Sequence, residues 1–316
     1  MSERINVLQV HLGGTLPPYI YEQIRQTRLF NPRLPVFLIL NRATEADMRA
    51  LKELDVTVVR KETIVPCRNH RDFMRRHRFS RRSLGGFWLY TSERFYAIES
   101  FLQSCALRNV VHMENDVMLY ADLEGLLPTL SARCPRIGIT MDSDTRCVPG
   151  FVFIKDAEAL AKMNGHMVRK ALRTTKNDMR AIAHFMNGAD AGDCSALPVI
   201  PTGYRGLYPL ENLEGEKGQK SWYDEAFPDF GGVFDAAALG QYLGGIDPKI
   251  SEGDTRGFIS ETAVYDPRNM GLKWIEDSGF RRPFGSVAGK DFPVFNLHIH
   301  SKRLDEFSSL AKAKGG

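Results

Sequence analysis

The stretch NVVHMENDVMLYAD, residues 109–122, sets three polar residues, Glu114, Asn115 and Asp116, between two apolar runs. Residues 109–113 have the pattern of a short buried strand, so two carboxylates stand at a strand's end. If the chain stays extended there, residues two apart point the same way, and Glu114 and Asp116 converge on one point. Paired carboxylates make a hard-oxygen site, suited to a Mg²⁺ or Mn²⁺ ion that keeps positions open for phosphates. A simple turn closing a strand would use the same residue types, so the flanking sequence has to decide between the two.

On the N-terminal side the chain alternates. INVLQVHL (5–12) reads as a first strand closed by Gly13-Gly14, a helix follows over 18–29, and Val36 to Leu40 forms a second strand. TEADMRALKEL opens on Thr44 with Asp47 three residues on, a capping box, and VTVV (56–59) is a third strand. Such alternation gives a parallel sheet with crossover helices. SERFYAIESFLQSCAL then reads as a helix capped by Ser92 that leads into the strand of residues 109–113. Ligands of open α/β sheets gather beyond the carboxyl ends of strands, where Glu114 to Asp116 stand.

On the C-terminal side ADLEGLLPTL is expected as a short helix stopped at Pro128. The strand RIGITM then carries a second acidic pair, Asp142 and Asp144, and CVPGFVFIK is a strand following a Pro149-Gly150 break. Asp156 is placed to cap the next helix, and KNDMRAIAHFMN is helical. Residues 197–218, rich in Pro and Gly, read as a long functional loop, and FDAAALGQYL as a helix opened by Asp235. In PVFNLHIHSK, Phe295, Leu297 and Ile299 alternate with Asn296, His298 and His300, which puts both imidazoles on one polar face, with Lys302 next on that side.

The composition, 43% hydrophobic and 25% charged, is that of an ordinary globular protein. No apolar run reaches the roughly 18 residues of a membrane span. The N-terminus lacks an apolar export signal and the five cysteines are scattered without CxxC spacing, so a reducing cytoplasm is the expected setting. Charge is concentrated: residues 68–82 hold seven arginines against Asp72, a local +6 in a chain of +4, so the remainder is −2. That patch implies an anionic partner. The absence of GxGxxG from the first turn speaks against a dinucleotide oxidoreductase.

This layout resembles the metal-dependent glycosyltransferases of the A-type (GT-A) fold. The resemblance rests on the END triplet, similar to their D-x-D motif with its apolar flanks, and on the C-terminal histidine strand NLHIHSK. It implies an α/β fold, a single Rossmann-like domain over residues 1–316 with a mostly parallel sheet flanked by helices. Residues 1–122 would form the nucleotide-sugar half and 123–316 the acceptor side. It implies a nucleotide-sugar donor, a UDP-sugar foremost, with Mn²⁺ or Mg²⁺ held by Asp116 and by His298 or His300, Glu114 departing from the motif's usual first residue. Asp142-Ser143-Asp144 is a rival place for the motif. Lys302 would face the donor diphosphate, and Arg78 of the arginine run would reach its phosphates. His11, Gly13 and Thr15 would line the base and ribose. An inverting enzyme also needs a carboxylate base, for which Asp235, equally readable as a helix cap, is the candidate. The Pro149-Gly150-Phe151 strand is similar in place to the N-S-G strand of retaining enzymes.

The acceptor would be a glycan, a lipid-linked sugar or a small molecule, with contact to an anionic surface through the arginines. Two rivals stand beside this reading. One is a nucleotidyltransferase acting on sugar phosphates, for which HLGGTLPP is a poor phosphate loop. The other is a nucleic-acid-binding protein using RNHRDFMRRHRFSRR, although no nucleic acid is expected as partner.

Overall fold

The computed structural model describes residues 4–171, 177–188, 192–210, 218, 220–277 and 279–310. Its centre is a seven-stranded sheet in the order β3-β2-β1-β4-β7-β6-β8, formed by β1 (Asn6–His11), β2 (Val36–Leu40), β3 (Val56–Arg60), β4 (Val110–Met113), β6 (Ile137–Ser143), β7 (Arg146–Ile154) and β8 (Ser195–Leu197). The β1–β2, β2–β3, β1–β4 and β6–β8 pairs are parallel, while β7 runs antiparallel to both neighbours. Helices cover both faces: α1 (Tyr19–Phe30), α2 (Glu45–Glu53), α3 (Arg68–Arg76), α4 (Phe87–Cys105), α5 (Leu123–Arg133), α6 (Ala157–His166) and α7 (Asp178–Gly188). Alternate residues feed opposite cores, with Leu8 and Val110 on one face and Val7 and Val111 on the other. Both faces are dry, as a largely parallel sheet requires.

Two smaller sheets complete the molecule. One is β11-β10-β9, from Lys290–Pro293, Phe280–Val287 and Lys273–Asp277; the other pairs β5 (Val117–Leu119) with β12 (Asn296–His298). Helix α8 (Ala238–Gly244) lies against β12.

The first three strands and the Thr44–Asp47 capping box stand where the sequence puts them. Four local expectations are corrected. Helix α4 begins at Phe87, behind a left-handed Gly86, so Ser92 is a buried interior residue and not its cap. Pro128 lies inside α5, tolerated because Leu123, Leu127 and Leu130 bury that helix's inner face. Pro149-Gly150 is part of a continuous β7. Finally, the strand expected through His300 ends at His298, where the chain turns. The loop expected over 197–218 lies partly outside the described residues.

Candidate active site

Beyond the carboxyl ends of β1 and β4 lies a cavity of about 530 Å³. Its wall carries His11 at the end of β1, Gly14 and Thr15 after it, Glu114 to Asp116 after β4, and Lys302 from the C-terminal segment. The triplet is a turn, in which Val117 N–H donates to the Glu114 carbonyl at 3.1 Å, so the extended geometry expected for Glu114 and Asp116 is replaced. Convergence survives because a third group binds both acids.

That group is His298, delivered by the antiparallel register of β5 and β12, in which His298 stands opposite Val117. Ile299 N–H donates to the Asp116 carbonyl at 2.8 Å and locks the junction. His298 Nδ1 is 2.9 Å from the Ala236 carbonyl, which only accepts, so that nitrogen carries a proton. Nε2 is buried without a hydrogen bond, 3.2 Å from Asp116 Oδ1 and 3.5 Å from Glu114 Oε2. A lone pair facing two carboxylates is repulsive unless a proton or a cation stands between them. Burial by itself would lower the imidazolium pKa, but Asp116 and Glu114 reverse this and raise it to about 10.

The same geometry suits a divalent ion. Asp116, His298 and His300 offer ligand atoms all within 4.8 Å of one another, the one such group among the described residues. His300 is not on the strand as expected; it follows the turn, its Nδ1 2.6 Å from Gln241 Nε2 and its ring 4.2 Å from that of His298. Two imidazoles and a carboxylate, one nitrogen orphaned and buried, fit a transition ion such as Mn²⁺ better than Mg²⁺, which prefers oxygen donors, with the second ring nitrogen of His298 fixed by a carbonyl as ligating histidines commonly are. The rival acids are engaged elsewhere: Asp142 accepts from Thr262 Oγ1 at 3.3 Å and Asp144 from the Tyr223 hydroxyl at 2.6 Å. Neither lines the cavity.

Lys302 bonds Asp116 and lies 3.5 Å from Asp247. It reaches them from a left-handed backbone turn (φ 64°), not from a strand face. Burial opposes both charges, yet each holds the other ionised: the Asp116 carboxyl is held well below its usual range and the Lys302 ammonium above its own.

Of the expected residues, Gly13, His298 and His300 stand behind the lining, and Arg78 and Asp235 are not part of it either. Arg78 is exposed and outside the lining. Asp235 is fully buried, with Oδ1 accepting from Leu239 N–H at 3.0 Å and Oδ2 from Gly240 N–H at 2.8 Å and His298 N–H at 3.0 Å. Burial raises its pKa to about 6 against those donors, but no acceptor hydroxyl can reach it. It lies before α8, which begins at Ala238 with Ala237 in the N-cap position, so it is not the cap expected; its carboxylate instead ties first-turn N–H groups of α8 to the His298 N–H.

The arginine at the cavity is Arg94 on α4, 2.7 Å from Glu114 and 3.1 Å from Asp178. Its signal in the sequence is a charge at an apolar helical position of SERFYAIESF, buried between Glu93 and Phe95. Tyr19, Tyr90, Asp247 and Lys249 also line the cavity and carried no sequence signal. Gly13 stands behind the wall, where a Cβ would come within 2.8 Å of the Tyr90 ring.

No family model matches the chain, and no curated protein matches it. Among solved structures it is similar to mouse xyloside xylosyltransferase 1 in its apo form, at 12% identity over 64% of this chain and 90% of that one, TM-score 0.41. It is similar to the galactosyltransferase LgtC with donor and acceptor sugar analogues, at 14% identity over 64% and 77%, TM-score 0.41. A cytidylyltransferase from Leptospira borgpetersenii aligns at 10% identity over 56% and 77%, TM-score 0.34.

Proposed function

We propose that this chain is a glycosyltransferase that moves a sugar from a nucleotide-sugar donor to an acceptor hydroxyl, with Mn²⁺ or Mg²⁺ as cofactor. One observation carries the reading: Asp116 meets the distant segment of His298, His300 and Lys302, with Asp116 and Lys302 on the wall of a cavity of about 530 Å³. A nucleoside diphosphate needs such a mixed site, cationic groups for its phosphates beside an apolar and aromatic wall.

In this reading Asp116, His298 and His300 hold the ion, which when bound would neutralise charge on the departing diphosphate. Lys302, which pairs with Asp116, would supply a fixed positive charge for the same phosphates. Arg94 fixes Glu114, and the Asp235–Ala236 turn fixes the tautomer of His298. Residues 10–19 and Tyr90 hold the nucleoside. The halves 1–122 and 123–316 both contribute to the cavity, the second through Asp247, Lys249 and Lys302.

The test is a melting-temperature screen with UDP, GDP, CDP, TDP and ADP, each with and without Mn²⁺, followed by transfer assays with the sugars of the diphosphate that binds. Stabilisation by one diphosphate, dependent on metal and lost in Asp116→Ala, is expected. A nucleotidyltransferase would instead be stabilised by a nucleoside triphosphate and release pyrophosphate from a sugar phosphate. No stabilisation by any nucleotide would end both readings.

A further inference from the structure

Helix α3 and the segment after it are strongly cationic at the surface. All seven arginines between Arg68 and Arg82 are exposed, and among the described residues Arg75 alone of them pairs with an acid, Asp72. The helix is not a loose basic tail. On its inner side His70 lies 3.2 Å from both Ser100 Oγ and Glu93 Oε1, and Asn69 donates to Glu99 at 3.0 Å, while Phe73 is fully buried.

Exposed aliphatic side chains border this face. Val65 is 78% exposed before the helix and Leu84 57% exposed after it. Leu84 holds a left-handed backbone (φ 49°), unusual for a bulky residue, on the edge of the cavity. On the same cavity Lys249 stands over the Phe87 ring, and the next residue, Ile250, is 78% exposed. Leu84 and Lys249 border the cavity, Arg81 and Arg82 precede Leu84 by two or three residues, and Ile250 follows Lys249.

We propose that this face docks onto an anionic lipid bilayer, arginines on the headgroup phosphates and Leu84 and Ile250 in the interfacial layer. Arginine's planar fork suits phosphate, and aliphatic tips suit the boundary of headgroups and acyl chains. Nucleic acid fits less well, since stacking on bases needs free aromatic rings. Phe73 is buried against Tyr96, and Phe79 packs within 6.3 Å of Phe73 and 6.2 Å of His77. Docking would set the cavity mouth at the membrane surface and make the acceptor lipid-linked, a consequence that rests on the transferase reading; docking itself does not.

The experiment sediments the full chain, without donor, on vesicles of phosphatidylcholine alone or with about 30% phosphatidylglycerol, at about 50 and about 500 mM salt. Binding to the anionic vesicles is expected, at least about tenfold weaker at high salt and on the neutral vesicles. The variant R75E/R76E/R81E/R82E should lose at least about a hundredfold in affinity, and Ile250→Asp should also bind more weakly; these exposed sites leave the fold intact, checked by circular dichroism. Absence of wild-type binding, undiminished binding by the fourfold variant, or displacement from vesicles by a single-stranded oligonucleotide would each overturn the proposal. A nucleotide melting shift is read separately, so failure of docking and failure of the transferase reading are distinguishable.

Discussion

At His298 one ring nitrogen is committed to the backbone and the other to two carboxylates, so its charge state sets the electrostatics of the site. Because the folded pKa, about 10, lies above the unfolded 6.5, the stability this imidazolium contributes is fully present below pH 6.5 and is lost as pH rises through 10. Metal-free protein should therefore lose a few kcal/mol of unfolding free energy across that window, and His298→Gln should flatten the slope in urea titrations at stepped pH. Mn²⁺ should release a proton on binding, with apparent affinity rising with pH, readable by calorimetry in two buffers. Arg94 shows the converse. It is sealed between Glu114 and Asp178, and Arg94→Met leaves buried acids unpaired, at a cost of about 3 kcal/mol at neutral pH. The loss should shrink in acid, where protonation replaces the missing cation.

At the scale of elements the site depends on how closely α8 and β7 approach β12. A Cβ on Gly240 would stand 2.1 Å from the His298 carbonyl oxygen, and one on Gly150 would stand 2.6 Å from His298 Nδ1. The first collision is with backbone and cannot be relieved by a rotamer. Gly240→Ala should therefore cost about 3 kcal/mol, the upper end of overpacking. Gly150→Ala meets a ring that can shift away from Asp116. It should cost less stability but lower Mn²⁺ affinity, so unfolding curves and metal titrations on the pair should rank the two variants in opposite orders. The END triplet and the histidine pair were legible as chemistry because polar residues interrupted apolar runs. The surroundings of Asp235 were not legible, because a carboxylate buried on backbone N–H groups and an exposed one use the same residue after the same kind of turn, and its three N–H donors are brought together only by the fold.

For the whole molecule the cavity draws on segments from residue 10 to residue 302, so a ligand filling it ties the two ends of the chain together. A nucleoside diphosphate with Mn²⁺ at a hundred times its Kd should add about 2.7 kcal/mol to the folded state. That gain should vanish in Asp116→Ala and in Lys302→Ala. The two variants should differ in cause: the first should lose metal binding as well, the second only the diphosphate. Among the described residues no helix is long and apolar enough to cross a membrane.

The sequence by itself determined the first three strands and the helices between them and the capping box at Thr44, and it singled out Glu114, Asp116, His298 and His300, which the fold brings together, because each is written in a local period or in a residue type that chemistry restricts. It did not determine where those elements end. Ser92, Pro128 and Pro149-Gly150 carry strong local signals that burial of neighbouring apolar groups overrides. Tertiary structure alone decided that β12 pairs with β5, that Lys302 bonds Asp116, and that Arg94 rather than Arg78 is the arginine at the cavity. The physical reason is the same in all three. These contacts join residues far apart in the chain, and their register is fixed by which apolar faces can be buried together, a quantity that no local window of sequence contains.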